Sequence, residues 1–356
     1  MLDRMKRKFN QLFRLNEVPV IRLYRGYSNG FEHIIFGHVL ELSPRKPNYS
    51  TRNLFTTTLA LIRLFMIRPV PKAVVQMEYE GAVYEASTED DGFFKLKWKS
   101  AIRLEAGIYD VDVIIKSING RPVKGEVHTR GELMSMNENQ YACLSDIDDT
   151  FLISHSGEIM RRMRVLLTQN AHSRKPFDGV VKHYQLLSDA GTKDGVHNPF
   201  FYVSSSEWNL YEYIRQFNDK NHLPEGVLLL SQIKTIAEAW KTGQNKHATK
   251  FMRIARVFQL FVHHQFILMG DDSQQDPIIY QAVVKHFPSQ VKAVYLRHVN
   301  RGDINEVQQA IKNIEAAGVP CCHFRHSKDA IEHSISIGLI SKESHENFAS
   351  GKNQMA

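Results

Sequence analysis

Six short apolar runs in the second half of the chain constrain its fold more than any other feature. They are Tyr141–Leu144, Phe200–Val203, Val227–Leu230, Phe266–Met269, Ala293–Leu296 and Pro320–Phe324. Each has the length of one strand, and none alternates apolar with polar residues as a half-solvated strand does. Between them lie segments with helical spacing: Gly157–Gln169, Phe177–Ala190, Trp208–Asn221, Lys246–Phe261, Pro277–His286 and Ile304–Ala317. Strands buried on both faces and separated by helices predict an α/β fold with a doubly wound parallel sheet.

Acidic residues crowd the carboxyl ends of two of these runs. Asp146, Asp148 and Asp149 follow the first, in YACLSDIDDT, with Thr150 after them. Asp271 and Asp272 follow FILMG, with Asp276 beyond. Carboxylates beside a dry strand repel one another and lose hydration, and a bound cation relieves both problems. In open α/β sheets, ligands gather outside the carboxyl ends of the strands. A metal-assisted reaction centre is the reading that follows. A calcium loop of the EF-hand kind is excluded, because the sixth and twelfth positions counted from Asp146 hold Phe151 and Gly157 where Gly and Glu are needed. All-oxygen ligands favour Mg²⁺ over zinc. No histidine spacing of the HExxH kind is present, so the histidines read as surface or core residues.

The run S-DIDDT, with FFYVSSSEWNLY and FILMGDDSQQDP, resembles the App1-like phosphatidate phosphatase family of the haloacid dehalogenase superfamily, the DxDxT phosphatases. The resemblance covers Tyr141 to Ile331 well and the N-terminal part more loosely. It implies a Mg²⁺-dependent phosphatase that forms an aspartyl-phosphate, with phosphatidate converted to diacylglycerol. By position, Asp146 would be the nucleophile and a metal ligand. Asp148 would be the general acid and base, with its main-chain carbonyl on the metal. Ser204, after the second run, would hold a phosphoryl oxygen, aided by Thr150 and by the backbone N–H groups of Ser205 and Ser206. Asp271 would complete the metal site, and Asp272 or Asp276 would act through water or orient a ligand. A lysine must balance the charge of nucleophile and phosphate. Lys246 and Lys250 compete for that place, and Lys250 is preferred. The sequence departs from the family pattern at Ser273, where Gly is expected, and at Thr249-Lys250, where His-Lys is expected.

Before Tyr141 the pattern differs. Short strands are expected at Val20–Tyr24, Ile34–Leu42, Ala73–Tyr79, Gly92–Trp98, Tyr109–Ile115 and Lys124–Thr129, with a helix near Tyr49–Ile67. Phe94-Lys95-Leu96-Lys97-Trp98 alternates, as a one-face-buried antiparallel strand should. Glu89–Gly92 and Asn119-Gly120 are turn signals. This part reads as β-sandwich-like, without a chemical constellation. Residues Met1–Leu15 read as a basic amphipathic helix, suited either to packing on its own domain or to a membrane surface. Gly131–Gln140 reads as a linker. The expected organisation is 1–135 for the β-rich part, 136–340 for the haloacid-dehalogenase-like catalytic part and 341–356 for a polar, fraying tail.

The 356 residues exceed one ordinary core. A formal charge of +7 names no partner, since basic surfaces attract anions of many kinds. The expected partner is a phosphorylated substrate, a phospholipid by resemblance, with peripheral contact to a membrane and no nucleic acid. Cys143, Cys321 and Cys322 lie in apolar runs, which favours reduced thiols in a cytoplasmic protein. The charged N-terminus does not resemble a secretory signal. Two rival readings remain open: a phosphatase for a soluble metabolite or phosphoprotein, and a non-enzymatic binding module that keeps the fold.

Overall fold

The computed structural model describes residues 15–16, 19–44, 67–123, 125, 127–137, 140–147, 179–192, 196–231, 246–272, 275–299 and 304–349. The expected helices at Met1–Leu15, Tyr49–Ile67 and Gly157–Gln169 lie outside these residues or nearly so. Leu15 itself is in a strand, and Ile67 is buried.

The N-terminal part builds one ten-stranded sheet. Its strands are β1 (Leu15–Asn16), β2 (Val20–Ser28), β3 (Glu32–Pro44), β4 (Arg68–Pro69), β5 (Ala73–Tyr79), β6 (Ala82–Ser87), β7 (Phe93–Lys99), β8 (Gly107–Ile118), β9 (Arg121–Pro122) and β10 (His128–Ser135). The path runs β1-β3-β2-β10-β8-β5-β6, with β7 on the outer edge of β3. All pairs are antiparallel except β2 with β10. The expected sandwich is therefore a single sheet that curls until β6 faces β7, where the Tyr84 and Trp98 rings lie 6.2 Å apart. The inner face of the curl holds Ile35, Val39, Val75, Phe94, Leu96, Trp98, Val113 and Leu133. In β7 the alternation of Phe94, Leu96 and Trp98 with three lysines places the apolar side inward and the ammonium groups in water. Asn119 and Gly120 both take positive φ, as a two-residue turn between β8 and β9 requires.

Two expectations fail here. The sixth strand is His128–Ser135 rather than Lys124–Thr129, so half of the supposed linker is sheet. The strand Ala82–Ser87 was not anticipated, because it is an edge strand with little burial to pattern it.

The chain crosses to a second sheet between Ser135 and Tyr141. Its elements are β11 (Tyr141–Asp146), α1 (Val180–Ser188), β12 (Phe200–Glu207), a 3₁₀ turn at Trp208–Leu210, α2 (Tyr211–Lys220), β13 (Gly226–Ser231), α3 (Lys246–Leu260), β14 (Gln265–Asp271), α4 (Asp276–His286), β15 (Val291–Arg297), α5 (Ile304–Ala316), β16 (Cys321–Phe324), α6 (Ser327–Ser336) and α7 (Lys342–Ala349). The molecule is thus of mixed α/β class. The second sheet has the order β13-β12-β11-β14-β15-β16, and every pair is parallel. All six apolar runs became its strands. The segment expected to fray carries α7 through Ala349. No helix among the described residues is long and apolar enough to cross a membrane.

The two sheets share one apolar core. Tyr24, Tyr27, Ile34, Phe36 and Leu40, on the outer face of β2 and β3, join the cluster that fills the second sheet. Tyr24 stacks on Trp208 with centroids 4.2 Å apart. Tyr27 meets Phe201 edge-on and packs at a tilt against Phe261. Polar ties flank this seam. The Arg25 N–H donates to the Tyr211 hydroxyl at 3.1 Å, and Asn29 Nδ2 donates to the Leu260 carbonyl at 2.9 Å.

Candidate active site

In the second sheet the strand order reverses between β11 and β14, and such switch points open a crevice at the carboxyl ends of the strands. Asp146 is the last residue of β11 and Asp271 the last of β14. Ser145 pairs with Met269, so continuing the register sets Asp146 beside Gly270 and one step from Asp271. Both aspartates are fully buried.

Lys250 reaches the same place from α3. Its ammonium lies 2.7 Å from Asp146 Oδ1 and 2.5 Å from Asp276 Oδ1. It is 3 % exposed, an unusual position for lysine without ionic partners. Asp276 opens α4 and is also fully buried. Its carboxylate packs onto the Cα of Gly270, where any Cβ would collide with Asp276 Oδ2 and press on the Tyr280 ring. This close approach explains the glycine in GDD. The Tyr280 hydroxyl donates to the Met269 carbonyl at 2.8 Å. Its pKa stands well above the ordinary phenol, first through burial and then through Asp276, Asp146 and Asp271. One phenol therefore senses all three carboxylates.

The charge sum is unbalanced. Asp146, Asp271 and Asp276 carry three negative charges against one on Lys250. Arg297, paired with Asp271 across the sheet, is the next cation. Burial lowers its pKa to about 10, and Asp271 partly offsets this. A net negative, carboxylate-lined cleft of hard oxygen donors fits a hard divalent cation. Asp146 and Asp271 are the described residues placed to hold one.

Ser204 follows as expected, fully buried next to Val203. Here β12 departs from regular pairing: Val203 pairs with Leu229 and Glu207 with Ser231, so four steps on one strand match two on the other. The three serines form the bulge, which lifts the chain at the cleft. The expected pair of N–H groups is not formed as drawn, because the Ser206 N–H donates to Ser204 Oγ at 2.9 Å. Ser205 stands half-buried in the same bulge. Arg253, one turn beyond Lys250, donates to the Ser204 carbonyl at 3.1 Å and to Ser231 Oγ at 3.3 Å, tying α3 to this edge.

Asp148 and Thr150 lie outside the described residues. Lys246 begins α3, and it is Lys250 that meets Asp146. Asp276, expected like Asp272 either to act through water or to orient a ligand, engages Lys250. Asp272 turns away towards His298, just after β15, and His323, within β16, two residues that a reading of single histidines misses because only the strand order brings them together. The other expectation for histidines holds for His33, His38 and His183, which are buried in the core. The three cysteines are free; Cys143 is buried, while Cys321 and Cys322 are half-buried.

Residues 141–298 match the family described as phosphatidate phosphatase APP1, catalytic domain. The matching region contains Asp146, Ser204, Lys250, Asp271 and Asp276. Phosphatidate phosphatase APP1 of Saccharomyces cerevisiae is 31 % identical over 157 residues, which are 43 % of this chain and 25 % of that protein. The chain therefore spans about a quarter of the length of the curated relative it matches. Among solved structures, chitinase ChiW of Paenibacillus sp. str. FPU-7 is 10 % identical with a TM-score of 0.20, over 85 % of this chain and 32 % of that one. Ferredoxin-NADP+ reductase of Plasmodium falciparum is 10 % identical with a TM-score of 0.21, over 78 % and 96 %. Neither similarity informs the site.

Proposed function

We propose that the second sheet is a haloacid-dehalogenase-like, doubly wound catalytic domain that hydrolyses a phosphomonoester, phosphatidate to diacylglycerol, with Mg²⁺. The observation that carries this reading is the buried meeting of Asp146, Lys250 and Asp276 beside Asp271 at the switch point. The substrate comes from the printed name of the yeast relative and of the matching family.

In this mechanism an Asp146 oxygen attacks phosphorus, and the bond from phosphorus to the lipid oxygen breaks. The departing oxygen takes a proton from Asp148, placed in this role by its sequence position. Asp148 then takes a proton from water, whose oxygen attacks phosphorus and displaces the Asp146 carboxylate. Lys250 holds Asp146 in place and offsets the charge that builds when phosphate enters. Ser204, assigned by its sequence position, would donate its Oγ proton to a phosphoryl oxygen. Mg²⁺ would neutralise carboxylate and phosphate charge when bound at Asp146 and Asp271.

Asp146→Asn is expected to abolish Mg²⁺-dependent phosphate release from phosphatidate micelles while the circular dichroism spectrum and thermal midpoint stay those of a folded protein. Retained turnover would remove the covalent mechanism. Faster release from soluble phosphate esters than from phosphatidate would move the substrate away from lipid.

A further inference from the structure

We propose that Asp272, His298 and His323 form a second cation site, which takes Zn²⁺ or another divalent ion of that borderline class and is distinct from the carboxylate centre at Asp146 and Asp271.

The three residues come from separate stretches of chain. Asp272 follows β14, His298 follows β15, and His323 lies within β16. Because these strands are parallel neighbours, all three arrive at one edge of the sheet. Asp272 Oδ2 is 2.5 Å from His298 Nδ1 and 3.0 Å from His323 Nε2. All three atoms lie within 4.8 Å of one another. The rings stand nearly perpendicular, at 81°, with centroids 5.1 Å apart, so the two nitrogens approach one point from different sides. Ligand atoms around a tetrahedral zinc ion are about 3.3 Å apart, within this spread.

The carboxylate is fixed for such a role. Its other oxygen, Oδ1, accepts the Val299 N–H at 2.7 Å, leaving Oδ2 as the single oxygen presented to the imidazoles. Without an ion, each neutral ring must point an N–H at that oxygen, since an ionised carboxylate donates nothing. With an ion, the proton of His298 moves to Nε2 and that of His323 to Nδ1. Both facing nitrogens then become ligands and no proton is lost. Two imidazoles and one carboxylate favour zinc-like ions, whereas oxygens alone favour Mg²⁺. The side chains are 4 % (Asp272), 10 % (His298) and 19 % (His323) exposed. That is enough shielding to strengthen ligation and enough access for an ion and a fourth ligand to enter.

The test uses the full chain, stripped of metal by a chelator and held in excess Mg²⁺ so that the hard carboxylate site is filled. Zn²⁺ is titrated in by calorimetry, and Co²⁺ by its visible absorption, which reports nitrogen ligands. Wild type is expected to bind one more equivalent of Zn²⁺ than His323→Ala and to develop a Co²⁺ band that this variant lacks. His298→Gln keeps a donor to Asp272 and should weaken the same step by roughly tenfold or more. His128→Ala, on the exposed face of β10, should match wild type. Equal Zn²⁺ uptake in wild type and both cluster variants would overturn the proposal and leave the three residues as a hydrogen-bonded clamp. None of these readouts depends on phosphate release, so the site can fail while the phosphatase reading stands, and the reverse.

Discussion

Lys250 is a single ammonium among three buried carboxylates, and removing it differs in kind from removing one of them. A lost cation leaves Asp146 and Asp276 facing each other without compensation, whereas a lost carboxylate relieves repulsion. Lys250→Met is expected to destabilise the protein by about 3–5 kcal/mol in urea unfolding. Asp146→Asn should leave stability unchanged or raise it. Equal losses in the two variants would contradict this account of the charge. Gly270→Ala tests the same cluster sterically. The added methyl must displace the Asp276 carboxylate and with it the lysine, so phosphate release should fall on the order of a hundredfold. At this scale the sequence was legible where a residue directly follows an apolar run: Asp146 and Asp271 close their strands, and Ser204 opens the bulge of β12. The pairing of Lys250 with Asp276 was not legible, because it depends on how α3 and α4 lie over the sheet. Nor was the Asp272 cluster, whose members meet through strand order alone.

Among the elements, β12 and the 3₁₀ turn after it do two jobs at once. The serine bulge sits at the cleft, and four residues after Ser204 the same segment offers Trp208 to Tyr24 of the curled sheet. Trp208→Ala is expected to cost about 3–5 kcal/mol, measured by urea unfolding. Because the segment continues into the bulge, the variant should also lower phosphate release in the fraction that remains folded. An unchanged rate there would show that seam and bulge are independent. The strands of the second sheet are legible in the sequence because buried parallel strands are continuous apolar runs, and the largest misfit is at β12, which runs on through the serines to Glu207. In the first sheet the edges misled. Ala82–Ser87 is mostly exposed, and β10 is exposed or half-exposed from His128 to Glu132 and buried only at Leu133–Ser135. Its polar start read as the end of a strand, and its buried end as a linker.

The molecule as a whole has a built-in response to acid. Burial pushes the pKa of His38 down to about 3 and that of His33 to about 4; for His183, burial and then His333 push it to about 3. In the unfolded chain each would gain a proton near pH 6.5. The stability these neutral rings contribute is therefore complete above pH 6.5 and is lost as pH falls towards 4 and then 3, by up to about 1.4 kcal/mol per pH unit for each ring. The thermal midpoint should drop steadily from pH 7 to pH 4.5, and His38→Gln should give a shallower slope. An identical slope would mean that other groups govern acid unfolding. The apolar cluster common to both sheets has a practical corollary. A shortened protein starting near Gln140 would retain every catalytic candidate yet leave the rings of Trp208, Phe201 and Phe261 open to water along one flank. Such a fragment should need a detergent or a fusion partner to stay dispersed, and supplying the curled sheet as a separate chain should restore its solubility.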